Sequence, residues 1–305
     1  MGEIGLINYI RKNFPRRRDE IFMGIGDDAM VFKNGLVIST DSFVEGVHFD
    51  FRYFTKFSLG YRTMSASLSD LAAMGAKPSC ALVSLYLPKN VSLRDIKELY
   101  RGFGKLCEEF KFDISGGDII ESPFWGITIT VVGRTRKPLL RSGARAGQFL
   151  YTTGYLGLAE VGRIVLNEEM SQNEFYEAIN KHLLPRPRIK EALQIKKYVT
   201  AMIDTSDGLS TDVWHLCEES RVKIIIEDIP LHPEVKKFCI IKKIDPIKFI
   251  LGAGEDFELL FTSKLLNLGF PQIFKIGRVL KGRGVFLFRK NRLIPIKPTG
   301  FEHLR

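Results

Sequence analysis

The sequence predicts a mixed α/β protein of two domains, residues 1–137 carrying a mixed sheet and residues 138–305 a second α/β sandwich. Three observations lead there. At 305 residues the chain is about twice the usual domain length. Its 45% hydrophobic and 26% charged residues can bury a core and exclude a disordered chain. Finally, β-prone runs alternate with helical spacings on both sides of a Gly- and Arg-rich break, RSGARAG (141–147).

Ile4, Ile7, Ile10 and Phe14 recur at helical spacing, so an opening helix is expected. Ala29–Phe32 and Leu36–Thr40 are short β-prone runs joined by Asn34-Gly35, a strong hairpin signal. Ser58 to Met74 reads as a helix of small residues stopped by Gly75 and Pro78. CALVSLYL (80–87) reads as a buried strand, and Ser92–Phe110 as a long amphipathic helix opened by Ser92 with Asp95 three residues on. After SGGD (115–118), FWGITITVVGRT (124–135) alternates like a further strand. Beyond the break, helices are expected near 156–168, 171–183, 188–199 and 208–220, and strands near 222–227, 257–262, 273–280 and 284–289.

Composition narrows the function classes. No apolar run approaches the roughly 18 to 20 residues of a membrane span, and charge interrupts the N-terminal segment, so neither a span nor a secretory signal is expected. The four cysteines are far apart and form no CxxC pair, which favours a reducing cytoplasm over a zinc ribbon or disulfide framework. The net charge of +10 raises nucleic acid as a partner. However, the basic residues cluster only at Arg16–Arg18 and at Lys236, Lys237, Lys242 and Lys243, which read as solvated surface, and no nucleic-acid recognition module accompanies them.

The informative feature is acidic. Asp27 and Asp28 in GIGDDAMVF, Asp41 in ISTDSFVEGVHF, Asp70 in SLSDLAAMGAKP, Asp118 in SGGDII, Asp204 and Asp207 in IDTSDGLS, and Glu255 and Asp256 in GAGEDFELL all stand beside Gly, Ser or Thr at the ends of predicted elements. Glycine lets backbone approach a ligand closely, and short hard carboxylates are what Mg²⁺ accepts alongside water and phosphate oxygens. Any one such aspartate is ordinarily a turn or helix cap; the recurrence, several times in apolar surroundings, is what points to metal. Asp70 is the clearest case, a carboxylate inside a helix beside Leu68, Leu71 and Ala72, where an unpaired charge is costly to bury.

Familiar alternatives fail on chemistry. GIGDDA matches a dinucleotide fingerprint, yet its two aspartates would repel a pyrophosphate, and strand rather than helix follows. No GxxxxGK[ST] loop exists, and the five histidines show neither HxxxH spacing nor a nucleophile partner. His48 closes the motif that begins at Asp41 and is either a structural hydrogen-bonder or a ligand-binding group.

In this order and spacing, GIGDDA, STDSFVEGVHF, SLSDLAAMGAKP, GGD, RSGA, IDTSDG and GAGEDFEL resemble the thiamine-monophosphate kinases, relatives of aminoimidazole ribonucleotide synthetase and selenophosphate synthetase. That resemblance implies a homodimer formed through the N-terminal sheets and transfer of the ATP γ-phosphoryl group to thiamine monophosphate, assisted by several Mg²⁺ ions. It also implies Asp28 or its neighbour Asp27, Ser39, Thr40, Asp41, Asp70, Asp118, Asp204 and Asp207 as metal ligands, with Asp70, Asp118 and Asp207 carrying the catalysis. Gly117, Asp118, Arg141 and Ser206 would meet ATP, and His48, Glu255 and Phe301 the thiamine substrate. Arg141 either forks onto phosphate or is a surface arginine of the boundary loop; Phe301 either stacks on a ring or plugs the tail into the core. Ala253 stands where the family pattern has glycine, and Phe301 where it has tyrosine. Aminoimidazole ribonucleotide synthetase activity is the nearest alternative; no cysteine precedes Cys80, as a selenophosphate synthetase would require. The acceptor being an already ionised phosphate, no dedicated general base is needed.

Overall fold

The computed structural model describes residues 2–15, 18–301 and 303. Arg16 and Arg17 of the expected basic surface lie outside the described residues. The first half runs α1 (Glu3–Asn13), β1 (Ile21–Met23), β2 (Met30–Phe32), β3 (Leu36–Val44), α2 (Lys56–Ala73), β4 (Lys77–Leu87), α3 (Leu93–Phe110), β5 (Asp113–Glu121) and β6 (Gly126–Arg134). Its six strands form one sheet in the order β1-β2-β3-β6-β4-β5. The second half runs β7 (Phe149–Thr152), α4 (Leu158–Asn167), α5 (Tyr176–Leu183), α6 (Ile189–Ile195), β8 (Val199–Asp204), α7 (Leu209–Ser220), β9 (Lys223–Ile226), α8 (Pro233–Lys242), α9 (Pro246–Gly252), β10 (Leu259–Ser263), β11 (Phe274–Leu280), β12 (Gly284–Arg289) and β13 (Arg292–Ile296). Its sheet orders as β13-β12-β9-β11-β7-β10-β8. Parallel pairing between β4 and β5 and between β9 and β12, with antiparallel neighbours elsewhere, makes both sheets mixed, as the sequence predicts for the first.

Helix α2 is the spine. Thr55 and Ser58 close a capping box at its start, which satisfies backbone donors the first turn leaves free. Gly60 and Gly102 make room for α3: a Cβ on Gly60 would stand 2.1 Å from the Leu99 carbonyl oxygen, and one on Gly102 2.2 Å from that of Phe57. At helical spacing α2 also presents a polar stripe to the second half. Arg62 donates to the His182 carbonyl, Ser65 Oγ to the Pro185 carbonyl at 2.5 Å, and Ser69 Oγ to Asp204 at 2.6 Å. One hydrophobic core joins Leu71, Val83 and Ile129 of the first half to Met202, Leu259 and Phe261 of the second. A separate core around Val161, Leu216, Ile224 and Phe238 lies wholly in the second half.

Several sequence expectations need correction. SGGD does not stand at the end of an element; it lies inside edge strand β5, where a Cβ on Gly117 would sit 1.7 Å from the Val83 carbonyl oxygen, so the glycines serve a tight, irregular parallel pairing. Strands β1, β5, β7, β8 and β13 and helices α8 and α9 escape the periodicity reading: most are short, β8 is almost wholly buried, β5 is exposed along nearly its whole length, and α8 shows no clear apolar stripe. Helix α1 forms as expected, but its Ile7, Ile10 and Phe14 are exposed, so the apolar spacing there does not mark a buried face in the single chain. The lysine cluster is surface, as expected, with Lys237 paired to Glu174 and Lys242 to Glu168. Among the described residues no helix is long and apolar enough to cross a membrane, and all four cysteines are free.

Candidate active site

Three elements aim carboxylates at one point. Asp28 stands just before β2, Asp70 in the last turn of α2, and Asp204 at the end of β8. One oxygen of each lies within 4.8 Å of the others. Burial pushes the Asp70 carboxyl well above its ordinary value, helped by the neighbouring charges of Asp41, Asp204 and Asp28. Burial, then Asp28, pushes Asp204 up to about 7. Burial also raises Asp28, against the pull of Arg141, and Asp41, against a smaller opposing influence of Ser67. Asp28 Oδ2 is buried without a hydrogen-bond partner. Carboxylates this close and this dry are held apart from water at a cost of several kcal/mol per charge, and a divalent cation relieves both the desolvation and the repulsion. The donor set, hard oxygens only, fits Mg²⁺.

The sequence-selected residues divide as follows. Asp27 turns aside from the cluster and accepts the backbone N–H of Arg141 at 3.2 Å; burial, then Asp28, lifts it to about 7. Asp28 is therefore the member of the pair that faces the other carboxylates. Ser39 Oγ donates to Asp70 at 2.5 Å, while Thr40 shares a hydroxyl contact with Thr130 at 3.0 Å. The Arg141 fork is not on the surface: it closes on Asp28 through Nη2 at 2.5 Å and Nε at 3.2 Å.

A cavity of about 740 Å³ opens beside this cluster, lined by Thr40, Asp41, Asp70, Asp204, Ser206 and Asp207 and also by His48, Glu255 and Phe301. Asp207 is lifted to about 6 by burial and then by Glu3. His48 Nδ1 accepts the Val44 N–H at 3.1 Å, which fixes the ring edge-on to Phe43. Phe301 is 57% exposed, so it lines the cavity rather than plugging the core, and it meets His303 edge-on at 4.7 Å.

Gly117 and Asp118 do not join them. Asp118 is exposed on β5 and lies outside the cavity lining. It stands opposite Ser84, Ser84 opposite Thr128, and Thr128 opposite Ser42, three strand spacings of about 4.8 Å each. Asp256 also leaves the acidic set: its buried carboxylate accepts the Gly157 and Ala159 N–H groups at 2.5 and 2.9 Å and caps α4. Sequence reasoning missed Glu3, Glu160, Arg163, Phe257 and His303 of the lining, and buried Asp212, which accepts the Gly208 N–H at 3.0 Å. Asp212 carries a signal in retrospect, lying one helical turn after Gly208, and Phe257 lies inside the GAGEDFEL motif; the others sit on ordinary amphipathic or terminal segments that carry none.

Residues 26–135 match the family described as AIR synthase related protein, N-terminal domain. The thiamine-monophosphate kinase of Aquifex aeolicus is 36% identical over 311 residues, covering 99% of this chain and 98% of the relative. That of Pyrococcus horikoshii is 32% identical over 290 residues, covering 92% of this chain and 91% of its own.

The chain belongs to the thiamine-monophosphate kinase family.

Two solved structures of that family agree in fold. One, described as AaThiL complexed with AMPPCP and TMP, superposes with a TM-score of 0.91 at 35% identity, covering 99% of this chain and 97% of its own. A thiamine monophosphate kinase from Aquifex aeolicus gives 0.87 at 34%, covering 96% and 98%. Hydrogenase maturation protein HypE, at 16% identity and a TM-score of 0.71, shares the fold alone.

Proposed function

We propose that this protein transfers the γ-phosphoryl group of ATP to the phosphate of thiamine monophosphate, giving thiamine diphosphate and ADP. The carrying observation is that one cavity holds the carboxylates Asp41, Asp70, Asp204 and Asp207 together with His48, Glu255 and Phe301. The first group suits a polyphosphate with its cations, and the second a cationic heteroaromatic ring. An acceptor phosphate oxygen attacks the γ-phosphorus as the bond to the β–γ bridging oxygen breaks, and ADP carries the electron pair away. Asp28, Asp70 and Asp204, with Asp41 and Asp207 beside them, would hold Mg²⁺, and Ser39 and Thr40 flank them. When bound, Mg²⁺ would neutralise the phosphate oxygens of two anionic substrates that otherwise repel.

The chain's own groups do the positioning. Ser206, in the loop that also holds Asp207, faces the cavity where phosphate would lie. Arg141, now closed on Asp28, supplies the nearby countercharge. Glu255 offers a carboxylate to the cationic thiazolium ring or the aminopyrimidine, with Phe301 and His48 as flat walls. Holding the two substrates in line accounts for most of such a rate enhancement.

We also propose that residues 1–137 and 138–305 act as two domains, and that two copies associate through the open face of the first sheet. Leu82 and Ile120 are exposed on that face at 42% and 40%. A two-fold axis along the strands would lay β5 of one copy, with Gly117 and Asp118, across from β2 and β3 of the other, and so bring it toward the cavity that the single chain leaves without it.

The test is direct. Protein incubated with ATP, Mg²⁺ and thiamine monophosphate is expected to release thiamine diphosphate and ADP in equal amounts. ADP without thiamine diphosphate, or turnover only with another acceptor, refutes the assignment.

A further inference from the structure

We infer that Arg62 is a positioning residue for the thiamine substrate, acting from the opposite half of the molecule through Glu255. The inference rests on the reading of Glu255 given above and adds what holds that carboxylate in place. Arg62 lies on α2 and is 2% exposed. Its Nη1 donates to the His182 carbonyl at the end of α5, and its guanidinium lies between the rings of Phe54 and Phe257, 5.9 and 5.8 Å from their centroids. With two sides of the fork so fixed, Nη2 comes to 2.6 Å from Glu255 Oε2, while the Glu255 side chain stays 36% exposed to the cavity.

Two features make this more than an ordinary ion pair. First, Nη2 is buried and makes no directed hydrogen bond, so at 2.6 Å the contact is Coulombic and off the N–H axis. Second, the segment that carries Glu255 is strained: Glu255 and Phe257 both have left-handed backbones, φ 62 and 50, a conformation that side-chain-bearing residues adopt only at a cost. It is tied by Glu255 N–H to Ser206 O at 2.8 Å and Phe257 N–H to Thr205 O at 2.9 Å. One short loop thus joins the residue assigned to ATP to the residue assigned to thiamine, and Arg62 secures its side-chain end. The neighbouring His182 ring, whose two nitrogens have no partner, is held neutral mainly by burial and then by Arg62 and Arg163, so it adds no competing charge.

The test is a double-mutant cycle of Arg62→Met and Glu255→Gln. In the wild-type background Arg62→Met is expected to raise KM for thiamine monophosphate roughly 10- to 100-fold, the range carried by one charged contact, with KM for ATP nearly unchanged. Arg62→Lys recovers part of that loss. In the Glu255→Gln background Arg62→Met has little further effect. Equal factors in both backgrounds, or a parallel rise in both KM values together with a fall in Tm, overturn the inference. Should Arg62→Met fail to fold, Arg62→Lys runs the same cycle. A wild-type enzyme that turns over thiamine monophosphate while the cycle is additive sinks this inference alone; no turnover at all sinks the functional reading.

Discussion

At the scale of single residues, the site is destabilised for the sake of its chemistry. Asp204 is buried and Asp28 and Asp70 are half-buried, with oxygens within 4.8 Å of one another, and Ser39 and Ser69 give two of them only one hydroxyl each. Asp70→Asn removes a buried charge while keeping the Ser39 contact. It is expected to lower kcat by about 100- to 1000-fold, as loss of one preorganised electrostatic group does, and to raise the Tm of the metal-free protein by a few degrees. Calorimetry beside a coupled ADP assay reads both; a variant that is both active and unaltered in Tm removes Asp70 from the site. The same carboxylates set a pH window. Asp204 rises to about 7 and Asp207 beside it to about 6 in the fold, so the native state binds more protons than the unfolded chain between the ordinary carboxylate value and about 7. Their contribution is therefore complete below about 4 and is lost as pH climbs toward about 7. A cation must displace those protons, so the rise in Tm on adding Mg²⁺ is expected to grow from pH 6 to pH 8. An increment independent of pH contradicts a metal held by these groups.

At the scale of elements, the motif GAGEDFEL divides its labour in a way spacing alone does not disclose. Glu255 faces the cavity, Asp256 caps α4 from about a hundred positions away, and Glu258, fully buried, ties β10 to α5 and α6 through Lys181 at 2.5 Å and Arg188 at 2.5 and 2.7 Å. The acidic run marks a special segment in the sequence, yet which carboxylate serves ligand and which serves packing depends on partners distant in the chain. Asp70 was legible because a charge amid Leu68, Leu71 and Ala72 contradicts its own helix. Arg62 was not, since an arginine at that spacing suits an exposed helix face equally well. Glu258→Gln leaves half-buried Lys181 facing a neutral partner and Arg188 with Glu191 alone, and is expected to cost about 3–5 kcal/mol of stability with little change in KM. Lys181 and Arg188 hold the Glu258 carboxyl down at about 2 although burial alone would raise it. Its share of stability is thus present above the usual glutamate range and lost as pH falls toward about 2. Urea melts from pH 6 to pH 3 are expected to fall less steeply in the variant; parallel curves mean the network is not holding the fold.

At the scale of the whole molecule, alternation and caps disclosed the long elements of the first half except β5, whereas the position of Asp118 on that strand depends on strand order, which no local pattern encodes. Its strand is an edge, its side chain is exposed, and about three strand spacings separate it from the cavity wall at Ser42. A two-fold dimer through the open sheet face would reverse strand order across the interface and set Asp118 of one copy near the carboxylates of the other. Subunit mixing separates this from service within one chain. Asp70→Asn and Asp118→Asn are each expected to be nearly inactive alone. Mixed after reversible dissociation, half the dimers pair one of each, and if the site is shared each such dimer holds one site with both aspartates intact. Activity then recovers to about a quarter of wild type. If Asp118 serves its own chain, every site in the mixture keeps one lesion and no activity returns. Leu82→Glu, placed on the same face but outside the cavity lining, is expected to halve the mass seen by light scattering and to abolish that recovery; an undiminished mass would place the contact between copies elsewhere.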